Sequence, residues 1–239
     1  VPLTTIPRFQ KEAAEIALQM SQFSVDELER LLRVNAKIAV ENYKRYQAFH
    51  AETTPELPAL LAYTGIVFKR LNPKDFSAED FGYAQEHLRL TSFCYGLLRP
   101  LDVIRAYRLE GDVVLPELGN QTLFFYWRSR LTDTFIEDIR SAGGILCNLA
   151  SDEMKSLFDW KRVESEVRVV TPEFHVWKNG KLATIVVYTK MSRGEMTRFI
   201  LKNKIGNPEE LKGFSWEGFE FDESLSDERK LVFINGMGE

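Results

Sequence analysis

The most constraining feature of this sequence is the stretch Ile185–Ile200, in which an apolar, β-branched run changes character at Lys190. Ser192 is a favourable N-cap residue, and Glu195 follows three positions later, as in a capping box. The apolar residues after Ser192 recur at helical spacing. The pattern predicts a strand that ends near Lys190 and a helix that begins at Ser192.

A helix start attracts anions, because its first N–H groups have no partner within the helix. Lys190 and Arg193 flank the predicted cap at Ser192, where cations are unusual. Two interpretations stay open. The basic residues hold a phosphate or carboxylate ligand, or they form ion pairs with nearby acids.

A second strand-to-helix junction is predicted within 145–155. Ser151 is its candidate cap, and Asp152 and Glu153 fall in the first turn, where acids simply complement the helix dipole. The functional interpretation places the junction at the carboxyl end of a strand, where ligands collect in α/β sheets. It assigns catalytic roles to Glu153, Lys155 and Lys190, and anion binding to Ser151, Ser192 and Arg193.

The third feature is Tyr95–Arg108, in which a helix is predicted to end near Gly96 and a second helical piece to follow Pro100. This pattern resembles a helix-hairpin-helix, whose turn binds nucleic-acid phosphates. An ordinary helix break is the alternative. The candidate nucleic-acid-binding residues are Arg99, Arg105, Arg108 and Arg198.

Composition limits the possible partners. The 239 residues carry a formal net charge of −4, so a nucleic-acid interface must be a local basic patch. No apolar stretch reaches membrane-spanning length, and Cys94 and Cys147 are isolated among apolar neighbours. The three histidines lack metal-ligand spacing. We therefore predict a cytoplasmic protein with no cofactor, no bound metal and no membrane partner.

Helical patterns dominate the first half of the chain, where Ser24 and Glu27 predict a capping box at the start of a helix. Strand patterns dominate the second half and include a hairpin with its turn at Asn179-Gly180. We predict a single α/β (mixed α+β) domain over 1–239, with a mixed sheet flanked by helices.

Several blocks, in order, resemble the YaaA family of peroxide-stress proteins. The blocks are Tyr63–Gly65, Tyr95–Asp102, Tyr107–Glu110, Asn148–Ser151 with Glu153 and Lys155, Arg193–Ile200 and Gly218–Asp222. One departure is that family members begin with an apolar strand followed by Ser-Pro-Ala-Lys, a segment not found here.

The resemblance implies a cytosolic bacterial protein that protects against hydrogen peroxide and limits free iron. It also implies a one-domain mixed α/β fold that contains a helix-hairpin-helix and binds DNA. DNA binding is our first functional hypothesis. The alternative is an enzyme acting on an anionic small molecule or nucleotide in a cleft lined by both junctions. Direct iron sequestration is a third possibility, which the poor ligand set disfavours.

Overall fold

The computed structural model describes residues 3–236, which form nine α-helices and twelve β-strands. The helices are α1 (Gln10–Met20), α2 (Val25–Leu32), α3 (Ala36–Ala48), α4 (Ala59–Ala62), α5 (Ile66–Leu71), α6 (Ala78–His87), α7 (Leu123–Ser141), α8 (Trp160–Glu166) and α9 (Val186–Asn203). The longest 3-10 helices are Asp152–Leu157 and Pro208–Gly213.

The strands are mostly short. They are β1 (Leu57–Pro58), β2 (Leu90–Ser92), β3 (Gly96–Leu98), β4 (Val103–Ile104), β5 (Val114–Leu115), β6 (Gln121–Thr122), β7 (Ile145–Cys147), β8 (Arg168–Lys178), β9 (Lys181–Ala183), β10 (Ser215–Trp216), β11 (Phe219–Phe221) and β12 (Lys230–Asn235). The mixture of helix and strand confirms the predicted mixed α/β class.

The chain forms two compact units, each discontinuous in sequence. Unit 1 comprises 1–62, 88–135 and 152–160, and unit 2 comprises 63–87, 136–151 and 161–239. The prediction that 1–239 behaves as a single domain stays a prediction.

Unit 1 contains the N-terminal helices and three two-stranded ladders, β1·β4, β2·β3 and β5·β6. Its first helices begin where the sequence indicates. Ser24 caps α2 and forms the predicted capping box with Glu27, and the Asn35 side chain caps α3. The core includes Trp127, fully buried, whose Nε1 donates to the Phe93 carbonyl at 2.8 Å.

Unit 2 is built on a six-stranded mixed sheet. Its order is β10-β11-β12-β8-β7, with β9 also pairing with β8. β8 runs parallel to β7 and β12 and antiparallel to β9. The β8–β9 hairpin turns at Asn179-Gly180, both with positive φ, as predicted. Helix α9 packs on the sheet face that carries Phe174 and Phe233.

The start of α9 differs from the sequence prediction. The helix begins at Val186, so Ser192 lies in its interior, fully buried, and does not cap it. The apolar run that resembled a strand is the exposed first turn, with Val186 65% exposed. A short apolar run has no period that separates helix from strand, so packing decides the structure.

The packing that decides α9 is its close approach to α5. A Cβ atom on Gly194 would lie 2.3 Å from the Val67 carbonyl oxygen and 2.8 Å from Arg70 Cβ. Only glycine allows the two helix backbones to approach this closely. Gly194 therefore fixes α9 against α5.

The segment Tyr95–Arg108, predicted to form a helix-hairpin-helix, contains no helix in the structure. Helix α6 ends at His87, and the following residues form the β2–β3 ladder and β4. Gly96 is not a helix end but a site of close approach, because its Cβ would lie 2.7 Å from the Trp127 ring. Its positive φ of 73° likewise suits glycine.

Substituting Gly194 tests this helix contact. We expect Gly194→Ala to lower the free energy of unfolding by about 1–3 kcal/mol, because backbone atoms must move to admit the methyl group. Gly82→Ala in α6 is the matched control, since nothing lies within 4 Å of its Cβ position. It should stabilise by about 0.5–1 kcal/mol through helix propensity. Urea unfolding measures both, and equal effects would contradict the account.

Candidate functional site

Two of the arginines predicted to bind nucleic acid donate instead to backbone carbonyls in unit 1. Arg99 Nη2 donates to the fully buried Asp102 carboxylate at 2.9 Å and to the Ile6 carbonyl at 3.0 Å. Arg105 pairs with Glu56 at 3.0 Å and donates to the carbonyls of Phe49 and Ala51, just beyond the end of α3. These contacts explain both arginines without a nucleic acid.

Arg198 acts in the same way in unit 2. Its guanidinium donates to the carbonyls of Leu71 and Asn72 at 3.1 Å, where α5 ends, and pairs with Asp75 at 2.7 Å. It therefore satisfies carbonyls that the end of a helix leaves unpaired.

Arg108 is the exception among the four arginines. It is exposed, and no hydrogen bond or ion pair of its guanidinium occurs among the described residues. Its backbone, in contrast, is held firmly, because the Tyr46 hydroxyl donates to the Arg108 carbonyl.

Tyrosine hydroxyls fix the segment 105–110, which has no helix and no strand partner. The Arg105 N–H donates to the Tyr95 hydroxyl at 3.0 Å, and the Tyr107 hydroxyl pairs with Ser92 Oγ at 2.5 Å. Together with Tyr46, these contacts restrain the backbone and the Tyr107 side chain of the segment. The segment therefore presents Arg108 and Glu110 from a rigid support.

Glu110 lies in an unusual charge environment. Burial raises its pKa above the ordinary value of a glutamate, and the negative charges of Glu153 and Asp112 raise it further. Arg108 and Arg33 act in the opposite direction. The structure thus brings the predicted catalytic residue Glu153, exposed on a 3-10 helix, into the electrostatic neighbourhood of Glu110.

The other residues of the second junction have ordinary contacts. Ser151 immediately precedes the 3-10 helix Asp152–Leu157, so a helical turn does begin where the sequence predicted. Lys155 pairs with Asp152 at 3.0 Å, and its Nζ lies 5.6 Å from the centre of the Trp160 ring. Glu153 and Lys155 belong to unit 1, and Ser151 belongs to unit 2.

The predicted anion site at Ser192 loses its geometric basis. Lys190, Ser192 and Arg193 all lie inside α9, away from its first N–H groups. Lys190 is exposed and Ser192 is buried. Their predicted roles in catalysis and anion binding stay predictions, as does a cleft shared with Glu153 and Lys155.

Glu110 was not among the residues singled out from the sequence as catalytic. It closes the block Tyr107–Glu110 that contributed to the family resemblance, and that position was the only signal that could have marked it. Its environment depends on burial and on Glu153, more than 40 positions later in the chain, which no local pattern reveals.

Burial lowers the reactivity expected of both cysteine thiols. It raises the pKa of Cys147, which is partly buried, to about 12, and it raises the pKa of the fully buried Cys94 even further. A raised pKa leaves less thiolate, which is the nucleophilic form. Within residues 3–236, no group of three or more His, Cys, Asp or Glu side chains is placed to hold a metal ion. No helix in the same range is long and apolar enough to span a membrane.

Comparison with known proteins places the chain in a family. A family model described as "Peroxide stress protein YaaA" matches residues 1–225. The chain belongs to the YaaA family of peroxide stress proteins. Similar proteins named "UPF0246 protein" occur in Bacteroides thetaiotaomicron (99% identity; 100% of this chain, 93% of the relative), Porphyromonas gingivalis (52%; 97% and 91%) and Crocosphaera subtropica (38%; 98% and 92%).

A buried carboxylate links two helices of this YaaA-family chain. Asp80 accepts from Lys202 at 2.8 Å and from Lys204, and it exchanges hydrogen bonds with Ser77 at the start of α6. The two ammonium groups hold the pKa of Asp80 far below its ordinary value. The Asp80 carboxylate therefore stabilises the fold at pH values at which it is ionised in both the folded and the unfolded chain.

The stabilisation by Asp80 should depend on pH. Because the pKa of Asp80 is depressed in the folded chain, its contribution to the free energy of unfolding is complete above pH ~4. The contribution is lost as the pH falls below that value, because the unfolded chain then takes up a proton. We expect Asp80→Asn to lower the free energy of unfolding by about 2–4 kcal/mol at pH 7 and pH 5 and by less at pH 3.

Denaturant unfolding at the three pH values measures this effect. The exposed Glu79→Gln on the same helix is the control and should change stability by less than about 0.5 kcal/mol. An Asp80→Asn loss that is equal at all three pH values would show that charge is not its cause.

Proposed function

We propose that this chain supports peroxide resistance by binding an anionic small molecule and performing acid–base chemistry on it. Arg108 binds the anion, and Glu110 and Glu153 exchange the proton. The observation that carries the proposal is the half-buried Glu110 carboxyl, whose pKa burial and the charge of Glu153 raise while the charge of Arg108 opposes them.

The rigid backbone at 105–110 supports this assignment. A binding arginine on a mobile loop loses conformational freedom when it captures a ligand, whereas this backbone is already held by tyrosine hydroxyls. The Arg108 guanidinium is exposed and offers a planar fork of donors that matches phosphate and carboxylate oxygens.

The two glutamates support a division of acid and base roles. Glu110 is half-buried with a raised pKa, whereas Glu153 is exposed. Carboxyl groups in different environments commonly serve as separate acid and base partners. A carboxyl with a raised pKa carries its proton closer to neutral pH, where general acid catalysis is effective.

The chemistry of the thiols supports a route other than direct peroxide reduction by cysteine. Burial raises the pKa of both thiols and so lowers the fraction of thiolate that could attack a peroxide. Limitation of free iron, DNA binding and a cytoplasmic location, which the family resemblance implies, stay predictions.

The first experiment measures anion binding. We expect inorganic phosphate or a nucleoside monophosphate to bind the chain in calorimetry, and Arg108→Ala to weaken binding about tenfold or more, since a charge-assisted hydrogen bond contributes about 1.5–3 kcal/mol. Binding should strengthen as pH falls through the raised pKa of Glu110, because the carboxylate then stops repelling the anion. Glu110→Gln should reduce this pH dependence.

Arg30→Ala is the control, since Arg30 is an exposed arginine on α2 in the same unit. It should leave both affinity and pH dependence unchanged.

We also expect Arg108→Ala and Glu110→Gln, but not Arg30→Ala, to fail to restore peroxide survival in cells that lack the native protein. Equal effects of Arg108→Ala and Arg30→Ala would contradict the proposal.

DNA binding needs a different basis from the predicted helix-hairpin-helix. Three of the candidate arginines already donate to backbone carbonyls and pair with carboxylates. Arg108 is therefore the remaining candidate for a phosphate contact. We expect that, if duplex DNA binds at this position, Arg108→Glu will weaken binding and reduce the slope of log K against log salt by about 1. A gel-shift titration at several salt concentrations measures this, and an unchanged slope would remove Arg108 from the DNA hypothesis.

A further inference from the structure

The sheet of unit 2 contains a gap in its hydrogen-bond ladder. β7 pairs with residues 168–170 of β8, and β9 pairs with residues 176–178 on the same edge. No described strand pairs with this edge over 171–175. Pro172, which has no N–H to leave unsatisfied, lies in the gap. The backbone edge of a central strand is therefore interrupted between two partner strands.

Three polar side chains form a hydrogen-bonded relay beside this gap. His175 Nε2 lies 3.0 Å from Glu173 Oε2, and His175 Nδ1 lies 3.1 Å from Thr184 Oγ1. Glu173 and His175 lie two positions apart on β8 and therefore share one sheet face. Thr184, exposed, follows the last residue of β9. The order is carboxylate, imidazole, hydroxyl.

The contacts define the roles of the two ring nitrogens. A carboxylate can only accept, so Nε2 carries the proton that it donates to Glu173. In the neutral imidazole, Nδ1 is then the acceptor, and Thr184 donates its hydroxyl proton to it. This tautomer makes Nδ1 a base within reach of a nucleophile, with a third group that orients the base.

The surroundings of Thr184 provide two further elements of such a site. Helix α9 begins two residues later, and its N-cap residue Ile185 makes no side-chain capping hydrogen bond, which leaves amide donors for a developing oxyanion. On the same sheet face, Trp177 and Leu182 pair across β8 and β9 and are each 38% exposed. They offer an apolar surface for an acyl chain.

We infer that Thr184, His175 and Glu173 form a nucleophilic site for carboxylic esters with an apolar acyl group. Thr184 Oγ1 and His175 are the catalytic groups, and Glu173 is a positioning residue. The inference is independent of Arg108 and Glu110, so either assignment can fail alone.

The reaction balances with water as its only co-reactant. Thr184 Oγ1 bonds to the ester carbonyl carbon while its proton passes to His175 Nδ1. The bond from that carbon to the alkoxy oxygen breaks, and the departing oxygen takes the proton from Nδ1. Water then repeats the sequence on the threonyl ester and releases the carboxylic acid. Glu173 stays ionised and stabilises the imidazolium at each stage.

The test uses an alkyl fluorophosphonate, which labels activated hydroxyl nucleophiles with loss of fluoride. We expect intact mass and peptide mapping of the full chain to place one adduct on Thr184. Thr184→Val should abolish it, and His175→Gln should slow labelling about 100-fold or more. Thr171→Val is the control, because Thr171 lies on the same strand and face as Glu173 and His175 but outside the relay. This variant should label like the unaltered chain.

Glu173→Gln distinguishes a positioning role from a structural one. We expect slower labelling in Glu173→Gln and partial recovery in Glu173→Asp, because a carboxylate at this position orients the imidazole and stabilises the imidazolium that forms in the reaction. Thermal unfolding of each variant shows that it is folded. The inference is overturned if the unaltered chain carries no adduct on Thr184, or if His175→Gln labels as fast as the Thr171→Val control.

Discussion

Hydrogen bonds from tyrosine hydroxyls hold a backbone segment of unit 1 that has no strand ladder of its own. Residues 105–110 lie outside every helix and strand of unit 1 that the structure describes. The hydroxyls of Tyr46 and Tyr95 nevertheless bond directly to their backbone. Leaving such groups unpaired in a half-buried segment would be costly. The same contacts that satisfy the backbone also restrict its conformations, so Arg108 and Glu110 are presented from a fixed support.

Most cations in the predicted sites have structural partners, which bears on the choice between DNA binding and binding of a small anion. Arg99, Arg105 and Arg198 bind carbonyls at chain turns and helix ends, and each also pairs with a carboxylate. A guanidinium that already bonds to carbonyls and a carboxylate has fewer donors left for a phosphate, so a basic face built from these residues is a weak basis for DNA binding. Arg108 differs because its backbone is held while its side chain is exposed. This contrast favours a small anion beside Glu110.

The sequence predicted local structure where a few neighbouring residues determine it. The capping box of Ser24 and Glu27 and the Asn179-Gly180 turn are examples, since each depends on side chains or backbone angles within a few positions. It failed where distant contacts decide. Ser192 and Glu195 have the spacing of a capping box, but the helix begins at Val186 and Gly194, in its interior, packs against Val67 of another helix. Gly96 resembles a helix end, but the Trp127 ring is the reason for its glycine. The candidate site followed the same rule: Glu153 was identified from its local pattern, whereas Glu110 required knowledge of burial.

The most direct test is a measurement of the pKa of the Glu110 carboxyl by carbon-13 NMR in the intact chain. The account predicts a pKa above that of an ordinary glutamate, a further rise in Arg108→Ala, where the opposing cation is lost, and a fall in Glu153→Gln, where the like charge is removed. A Glu110 pKa at or below the ordinary value, unchanged in both variants, would contradict it.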